Sequence, residues 1–521
     1  MELDGRTLDG AVLEAEVCVV GAGPCGLTLA RALSRSGVDV VLLESGGATH
    51  ERRAQRLNEG RVTGDRYAGL RRTRRRQIGG TATTWNTAVG DELGAKYVPL
   101  DPVDLASGSG SAVRWPLGWP ELERWYGVAQ TVCGLGPFAY EAASYTGPTT
   151  QPLELGGSAL ATRVYLLGRA GVFTTELPET LRAEPRVQHC HLATLLRLVP
   201  DRDGNRVEEA VVGEHGGARF RVRAHSFVLA TGGIENARIL LHSAADERNG
   251  WLAAVASSTG RWFMEHPRDS GLILIAPETP VERTGFYVPH RAPSGQHVLG
   301  RLAVIEGVRA SEGVANASIT FLTHDGGRDT VRLRDTHRRL RLGSLRPTAV
   351  PGSSSRGGVY LLLLNLEQAP HAENRVVLGR RRDAFGRRRA ELHWRWLPED
   401  QAGLERLRSL VERELLSAGL GRVVATEHAR PDPNAHHHAG TTRMSLDASS
   451  GVVDVDCRVH GTENLFVCGS SVFPTAGYAN PTLTVVALSL RLAARLARSL
   501  ARDPATVAVE PDAADGRRRG T

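Results

Sequence analysis

A glycine-rich turn between two apolar strands constrains the fold of this chain more than any other stretch. Residues 14–46 read AEVCVVGAGPCGLTLARALSRSGVDVVLLESGG, which predicts a strand, a turn, a helix and a second strand. At GxGxxG spacing, Gly21 makes the tight turn, Gly23 lets the backbone approach a pyrophosphate, and Gly26 permits close helix–strand packing. Glu44 follows the second strand, where a carboxylate accepts from ribose hydroxyls. The pattern predicts a dinucleotide-binding unit; the alternative is a structural turn.

The acid at the end of the second strand favours NAD or FAD over NADP. A later stretch, HSFVLATGGIENARILL at 225–241, repeats the order of strand, glycine turn and helix. It is similar to FAD domains, in which a late strand returns to the cofactor's sheet. We expect a strand over Val187–Leu198, a polar turn over Asp201–Asn205 and a strand over Val207–Val212. These elements predict a β-meander inserted into an FAD-binding domain.

The remainder predicts a second domain, as expected for 521 residues. Between 272 and 430, alternating segments such as HVLGRLAVIEG, NASITFLTH and GVYLLLLNLEQ favour a large antiparallel sheet flanked by helices. The fold class is therefore α/β, α+β overall, with a mostly parallel sheet in a Rossmann-like FAD-binding domain. The predicted boundaries are 12–100, 187–271 and 431–501 for the FAD-binding domain, 101–186 and 272–430 for the substrate-binding domain, lid and connecting segments, and 502–521 for a disordered tail.

Composition excludes several classes of protein. A hydrophobic fraction of 41% and a charged fraction of 23% are typical of a globular protein, and no apolar run is long enough to span a bilayer. Six cysteines without metal-ligand spacing predict reduced thiols and a cytoplasmic location. The net charge of +7 reflects arginine-rich composition more than a polyanionic partner, because the arginine runs lack interleaved aromatic residues. We expect the arginine runs to be mostly solvated, with Arg74–Arg76 as the exception, and we expect no nucleic acid and no membrane.

Three consecutive histidines precede a small-residue turn in NAHHHAGTTRM, residues 434–444. A purification tag is excluded by the internal position, and a metal site lacks Cys or carboxylate ligands at suitable spacing. In an extended segment His436 and His438 share one side and His437 takes the other. We therefore expect one working histidine with two flanking neighbours, and no metal.

From end to end the chain resembles the glucose–methanol–choline (GMC) flavoprotein oxidoreductases. The resemblance is closest to the bacterial, carbohydrate-oxidising branch that includes pyranose oxidases. It implies an FAD-dependent enzyme that oxidises CH–OH groups. The segments that carry it are VVGAGPCGL, RRRQIGGTATTWN, WPLGWPELERWY, VLATGGIENARILL, GRWFMEHP, EQAPHAENRVVLG, HHHAGTTRM and GVVDVDCRVHGTENLFVCGSSVFPTAGYANPTLT.

The resemblance also implies site residues. The family's proton-accepting histidine corresponds to His437, and its second active-site residue corresponds to Asn480, which can donate to the substrate oxygen. His266 of MEHP is interpreted as structural, and Arg76 as either a pyrophosphate contact or part of a solvated run. The implied cofactor contacts, besides Gly21, Gly23, Gly26 and Glu44, are Gly79, Gly80, Asn86, Gly469, Ser470, Pro481 and Thr482.

One departure from the family pattern concerns the flavin link. Pyranose 2-oxidases carry a flavin-linking histidine immediately before a tryptophan, whereas Thr84 precedes Trp85 here. We therefore predict non-covalent FAD. The implied substrate is a sugar-like or aminosugar alcohol, with the 6′-hydroxyl of a paromamine-type aminoglycoside precursor as the most specific candidate and a glycoside of sugar catabolism as the alternative. O₂ or another electron acceptor completes the cycle. Competing hypotheses are an FAD amine oxidase or monooxygenase and a flavoprotein without enzymatic activity.

Overall fold

The fold is built on two large sheets and one small one. The computed structural model describes residues 1–106, 113–156, 159–246, 250–277, 284–323, 358–425 and 431–500. Within these residues an eight-stranded sheet, a nine-stranded sheet and a three-stranded sheet are formed. The predicted fold class, a mostly parallel FAD-type sheet with a separate large antiparallel sheet, is confirmed.

The eight-stranded sheet contains the glycine turn. Its strands are β1 (Glu2–Asp4), β2 (Val12–Val20), β3 (Val40–Leu43), β8 (Val187–His191), β9 (Thr194–Pro200), β10 (Val207–Gly213), β11 (Arg219–Leu229) and β20 (Leu465–Val467). Strands β1, β8, β3, β2 and β11 run parallel, and β11, β10 and β9 form the antiparallel meander. Its central strands are apolar, as expected for a parallel sheet that is covered on both faces.

The nine-stranded sheet is antiparallel throughout. Its strands are β5 (Thr87–Val89), β6 (Glu92–Tyr97), β7 (Leu160–Arg169), β12 (Arg268–Ala276), β13 (His290–Arg291), β14 (His297–Val304), β15 (Ala317–Thr323), β16 (Gly358–Leu366) and β19 (Arg422–Ala425). Because successive side chains of a strand point to opposite faces, each strand contributes alternate residues to the face that meets the cofactor domain. This face forms one wall of the site described below.

Helices and a small sheet complete the described fold. The helices are α1 (Pro24–Arg35), α2 (Arg52–Arg56), α3 (Pro102–Ala106), α4 (Trp119–Cys133), α5 (Leu177–Ala183), α6 (Gly232–Asp246), α7 (Ala253–Ala256), α8 (Glu306–Glu312), α9 (Pro398–Ser417) and α10 (Thr482–Leu500). The small sheet consists of β4 (Arg61–Gly64), β17 (Arg375–Arg382) and β18 (Arg388–Trp394). Helix α10 packs against α1 and α4, which buries its apolar face beside the glycine turn.

Some elements differ from the sequence-based expectations. The strand expected over Val187–Leu198 is two strands, because Leu192 has a positive φ of 54° that breaks the extended chain between them. Strands β5 and β6, placed by sequence within the FAD-binding segment 12–100, pair instead in the nine-stranded sheet. The domain boundaries remain a prediction, and the expected disordered tail lies outside the described residues.

Chemical expectations for the chain can also be compared with the structure. All six cysteines are buried free thiols, as predicted. No helix in the described ranges has both the length and the apolar character to cross a bilayer. In the same residues, no three His, Cys, Asp or Glu side chains are grouped so as to hold a metal ion.

Candidate active site

A cavity of about 620 Å³ lies where the glycine turn, the histidine row and the nine-stranded sheet meet. It brings together most of the residues proposed from the sequence. Those that line it are Gly21, Gly23, Glu44, Gly80, Asn86, His437, Gly469, Ser470, Asn480, Pro481 and Thr482. The two that do not are Gly26 and Gly79, and both shape the backbone behind the wall.

The three glycines of the turn meet different surroundings. Gly21 has a φ of +105°, and a Cβ there would stand 2.7 Å from the Ala230 carbonyl oxygen. A Cβ on Gly26 would stand 1.8 Å from the Gly21 carbonyl oxygen, so that only glycine permits this packing. At Gly23 the nearest atom to a Cβ is 3.9 Å away, on Gly80, so the added group would face the cavity. The cradle is therefore open where a dinucleotide's phosphates approach the backbone.

Glu44 is a buried carboxylate at the edge of this cradle. It accepts hydrogen bonds from the backbone N–H groups of Ala22, at 2.9 Å, and Gly46, at 2.8 Å. Burial raises its pKa, and these bonds oppose the rise. Each oxygen is left with a further lone pair that a ribose hydroxyl can use. The open glycine cradle and this placed carboxylate fit FAD.

Two arginines of the run that the sequence set apart from the solvated ones, Arg74 and Arg76, lie buried beside the cavity. Arg76 Nη2 is 2.7 Å from Glu235 Oε1, and Arg74 Nη2 is 3.7 Å from Glu235 Oε2. Arg238 binds the same carboxylate at 2.7 Å. The arginines hold the pKa of Glu235 well below its usual value despite its burial. Of the two alternatives for Arg76, the solvated run is therefore wrong, since Arg74 and Arg76 are part of the cavity wall.

His437 stands between two side chains that define its protonation. Its Nε2 is 3.3 Å from the amide Nδ2 of Asn480, and its Nδ1 is 2.8 Å from Nδ1 of His266. An amide nitrogen donates but cannot accept, so Nε2 of His437 is the acceptor in the first contact. The proton of a neutral imidazole then resides on Nδ1 and is donated to His266. This leaves an unprotonated nitrogen facing Asn480.

Burial keeps both imidazoles neutral. It lowers the pKa of His437 well below the usual value, and protonation of His437 is further opposed by the neighbouring His266 imidazole and by the charge of Arg268. Burial likewise lowers the pKa of His266 to about 4, against the opposing effect of the backbone carbonyls of Gly477 and Ala476. A neutral His437 is the form that can accept a proton.

A buried carboxylate, Glu265, supports the histidine row from behind. Its Oε1 accepts from the backbone N–H of His437 at 2.5 Å and of His266 at 3.2 Å, and its Oε2 accepts from the Tyr67 hydroxyl at 2.5 Å. Burial raises the pKa of Glu265 to about 7, although these bonds lower it. Glu265 therefore fixes the backbone on which His437 is carried.

The flanking histidines also line the cavity. His436 has a positive φ of 64°, so the segment is not extended at that residue, contrary to expectation. The rings of His436 and His438 nevertheless lie on one side, with centroids 6.4 Å apart, while His437 contacts His266. The carbonyl of His438 accepts from Ser470 at 2.6 Å, which ties the histidine row to the late glycine turn.

Several lining residues were not identified by sequence reasoning. Each comes from the nine-stranded sheet, and they are Lys96, Tyr165, Arg268, Thr320, Leu363 and Asn365. Strand alternation shows that such residues share a face but not which cavity that face meets. His266 was interpreted as structural. The one sequence signal for a role in the site was its position in the MEHP segment, two residues before Arg268.

Comparison with known proteins finds relatives of the same kind as the site suggests. Residues 14–98 match an FAD binding domain, and residues 370–489 match the GMC oxidoreductase family. The chain is 27% identical to paromamine 6′-oxidase of Streptomyces fradiae over 93% of its own length and 92% of that protein. It is 26% identical to 6′′′-hydroxyparomomycin C oxidase of Streptomyces lividus over 94% and 92% of the two chains.

Solved structures show the same fold. Pyridoxine 4-oxidase from Mesorbium loti superposes with a TM-score of 0.54 at 18% identity, covering 92% of this chain and 99% of that one. The chain thus combines an FAD binding domain with a GMC oxidoreductase domain, and it is similar over most of its length to FAD-dependent enzymes that act on CH–OH donors. When bound, FAD supplies the acceptor for the hydride that leaves the carbinol carbon.

Proposed function

We propose that this enzyme oxidises a sugar-like alcohol to the aldehyde or ketone, with His437 as the base and Asn480 as the donor to the substrate oxygen. The observation that carries this proposal is the pair of contacts made by His437, with its unprotonated Nε2 3.3 Å from Asn480 and its Nδ1 2.8 Å from His266. An alcohol whose oxygen contacts both His437 and Asn480 loses its hydroxyl proton to Nε2. The amide of Asn480 stabilises the negative charge that develops on the oxygen.

FAD is proposed to be held without a covalent link. The cradle of Gly21, Gly23 and Gly80, the carboxylate of Glu44 and the turn at Gly469 and Ser470 supply contacts for it. The N-terminus of α10, which begins at Thr482, two residues after Asn480, lines the same cavity and offers it the positive end of the helix dipole. Dioxygen is the proposed electron acceptor. It takes up the hydride and the proton removed from the alcohol, and hydrogen peroxide is formed.

The test is anaerobic reduction of bound FAD by sugars, followed at 450 nm. His437→Ala should retain FAD and slow reduction by about 10²–10⁴-fold, the usual contribution of a positioned base. Asn480→Ala should slow it by about 10²–10³-fold, through loss of a donor to the developing alkoxide. His393→Ala is the matched control, because His393 lies on β18 outside the cavity. Reduction of His437→Ala at the wild-type rate contradicts the proposal.

A more specific candidate is the 6′-hydroxyl of an aminoglycoside precursor of the paromamine type. Two relatives favour it, the paromamine and 6′′′-hydroxyparomomycin C oxidases, each similar over more than nine-tenths of the chain. Incubation with paromamine in air, with peroxide measured by a coupled peroxidase, tests both the substrate and the acceptor. A neutral glycoside that reduces the flavin faster than paromamine would favour the alternative of sugar catabolism.

A further inference from the structure

Asn480 is carried by a loop whose position depends on contacts outside the cavity. This Asn480 loop, residues 473–481, follows the turn at Ser470–Val472 and leads into α10, and it forms neither helix nor strand. Asn480 lines the cavity, whereas Gly477 and Tyr478 of the same loop lie outside its lining. The placement of the Asn480 amide therefore depends on what holds the backbone of the loop.

The end of strand β16 holds the Asn480 loop at two adjacent residues. The carboxylate of Glu367, which directly follows the strand, accepts from the backbone N–H of Gly477 at 3.0 Å. The amide of Asn365 donates to the carbonyl of Tyr478 at 2.7 Å. Strand β16 pairs on both sides within the nine-stranded sheet, so the loop is fastened to a rigid element shortly before Asn480.

Glu367 belongs to a buried polar cluster that lies outside the lining of the cavity. Its side chain is 0% exposed, and those of Asp104 and Arg309 are 1% and 5% exposed. Arg309 donates to Asp104 Oδ1 at 3.1 Å. The amide of Asn316 donates to the same oxygen and to Glu367 Oε2, each at 3.1 Å. One carboxylate oxygen of Glu367 is thus held by the cluster, while the other accepts from Gly477.

The Asn480 loop packs directly against this cluster. Gly477 has a φ of +57°, and a Cβ there would stand 2.5 Å from Asp104 Oδ2, so a side chain would force the two apart. Two residues earlier, the Thr475 hydroxyl donates to the Asp104 carbonyl at 2.7 Å and accepts from Trp115 Nε1 at 2.8 Å. A change in the cluster is therefore transmitted to the backbone of the loop.

We propose that Glu367 is a positioning residue, which holds the amide of Asn480 against the substrate oxygen through its hydrogen bond to Gly477. The proposal rests on the proposed function, since it concerns the amide donor of that site. Glu367 does not line the cavity, so it acts through the loop and not on the substrate. If the bond is lost, the buried N–H of Gly477 lacks its acceptor and the loop moves to satisfy it. A shift of about 1 Å in a positioned group can slow a reaction by ~10²-fold.

Two conservative variants separate the reach of Glu367 from its charge. Glu367→Asp keeps the carboxylate but shortens the side chain by one methylene, which withdraws it from Gly477. Glu367→Gln loses the charge but keeps the length and an amide oxygen that can accept from Gly477. Both are compared with the wild type by the limiting rate of anaerobic flavin reduction, with glucose and paromamine as the reductants.

The two variants should differ in opposite directions from their charges. Glu367→Asp should slow reduction by about tenfold or more with little change in the apparent Kd of the sugar. Glu367→Gln should stay within about threefold of the wild type, because the Gly477 N–H keeps an acceptor. A Gln variant as slow as the Asp variant, or an Asp variant within threefold of the wild type, overturns the proposal.

A double-mutant cycle tests whether the effect passes through Asn480. Asn480→Ala alone should slow reduction by about 10²–10³-fold. In that background Glu367→Asp should slow reduction less than about twofold further, because no amide is left to position. A loss of the same size in both backgrounds overturns the proposal, since Glu367 would then act through general packing.

Amide hydrogen exchange supplies a readout that does not depend on turnover. In the FAD-loaded protein, Glu367→Asp should raise the exchange rate of the Gly477 amide by about fivefold or more, and Glu367→Gln should leave it near that of the wild type. Unchanged exchange in Glu367→Asp would show that the bond does not hold the loop, and it would overturn the proposal.

Asp269→Asn is the matched control. Asp269 is 1% exposed and lies on the same sheet, but it pairs with Arg408 of α9 at 2.6 Å and lies outside the lining of the cavity. This variant should lower the free energy of unfolding and leave both flavin reduction and the exchange of Gly477 unchanged. If it slows reduction as much as Glu367→Asp does, general destabilisation explains both losses and the proposal is overturned.

The outcomes separate this inference from the proposed function. If Asn480→Ala is reduced at the wild-type rate, the role of Asn480 in the proposed function fails, and this inference fails with it. If Asn480→Ala is slow and Glu367→Asp is not, the inference fails while the proposed function stands.

Discussion

His266 is the residue through which the base can be tested most specifically. Its Nδ1 is 2.8 Å from Nδ1 of His437, and His266 is buried while His437 is partly buried. In His266→Ala, the Nδ1–H of His437 loses its acceptor inside the protein. An unsatisfied buried donor costs ~1–3 kcal/mol, which corresponds to roughly a 5- to 150-fold loss of the productive tautomer and orientation.

We therefore expect His266→Ala to reduce the rate constant of anaerobic flavin reduction by about 10- to 100-fold with little change in substrate affinity. Two further variants distinguish positioning from packing. Asn at this position places its amide oxygen where Nδ1 stood, whereas Gln places its amide oxygen near the former Nε2. His266→Asn should recover much of the rate, and His266→Gln should not.

Stopped-flow reduction at pH 7 compares these variants with the wild type. Equal rates for the Asn and Gln variants would refute the positioning role.

The cofactor half of the site could be predicted from the sequence because it is local. Gly21, Gly23 and Gly26 stand within six residues, and a turn of that spacing has few possible geometries. Glu44 follows the next parallel strand, and the pairing of β2 with β3 brings it beside Ala22. The expected cradle is consistent with these contacts.

The substrate half depends on pairings that sequence patterns do not specify. His266 and His437 are 171 positions apart and meet through the bridge between Met264 and Ala439. His266 was consequently interpreted as structural. Similarly, the sequence left open whether Arg76 is solvated, because its buried partner, Glu235, lies on a distant helix.

The residues of the cavity wall could not be predicted from the sequence for the same reason. Lys96 and Tyr165 lie on adjacent strands of the nine-stranded sheet, which was expected to begin only at 272. Alternation predicts a strand's two faces, but register and sheet order decide which face meets the cofactor domain. The family resemblance was sufficient to identify His437 and Asn480. The side chains that surround them could be identified only once the strands were assembled into the sheet.

The remaining predictions concern the cofactor and the buried carboxylate. Gly23→Val should lower FAD occupancy, measured by the ratio of 450 nm to 280 nm absorbance, because the added side chain would enter the cavity. Acid precipitation of the wild type should release all flavin into solution, since Thr84 offers no histidine for a covalent link. Glu265 has its pKa raised from 4.5 to about 7, so its contribution to stability is present below pH 4.5 and is lost as the pH rises through 7. The loss amounts to about 3 kcal/mol at 1.36 kcal/mol for each pKa unit. Glu265→Gln can still accept from the backbone of His437 but cannot ionise. Its free energy of urea unfolding should therefore fall less than that of the wild type between pH 5 and pH 8, and parallel losses in the two proteins would show that Glu265 does not titrate in this range.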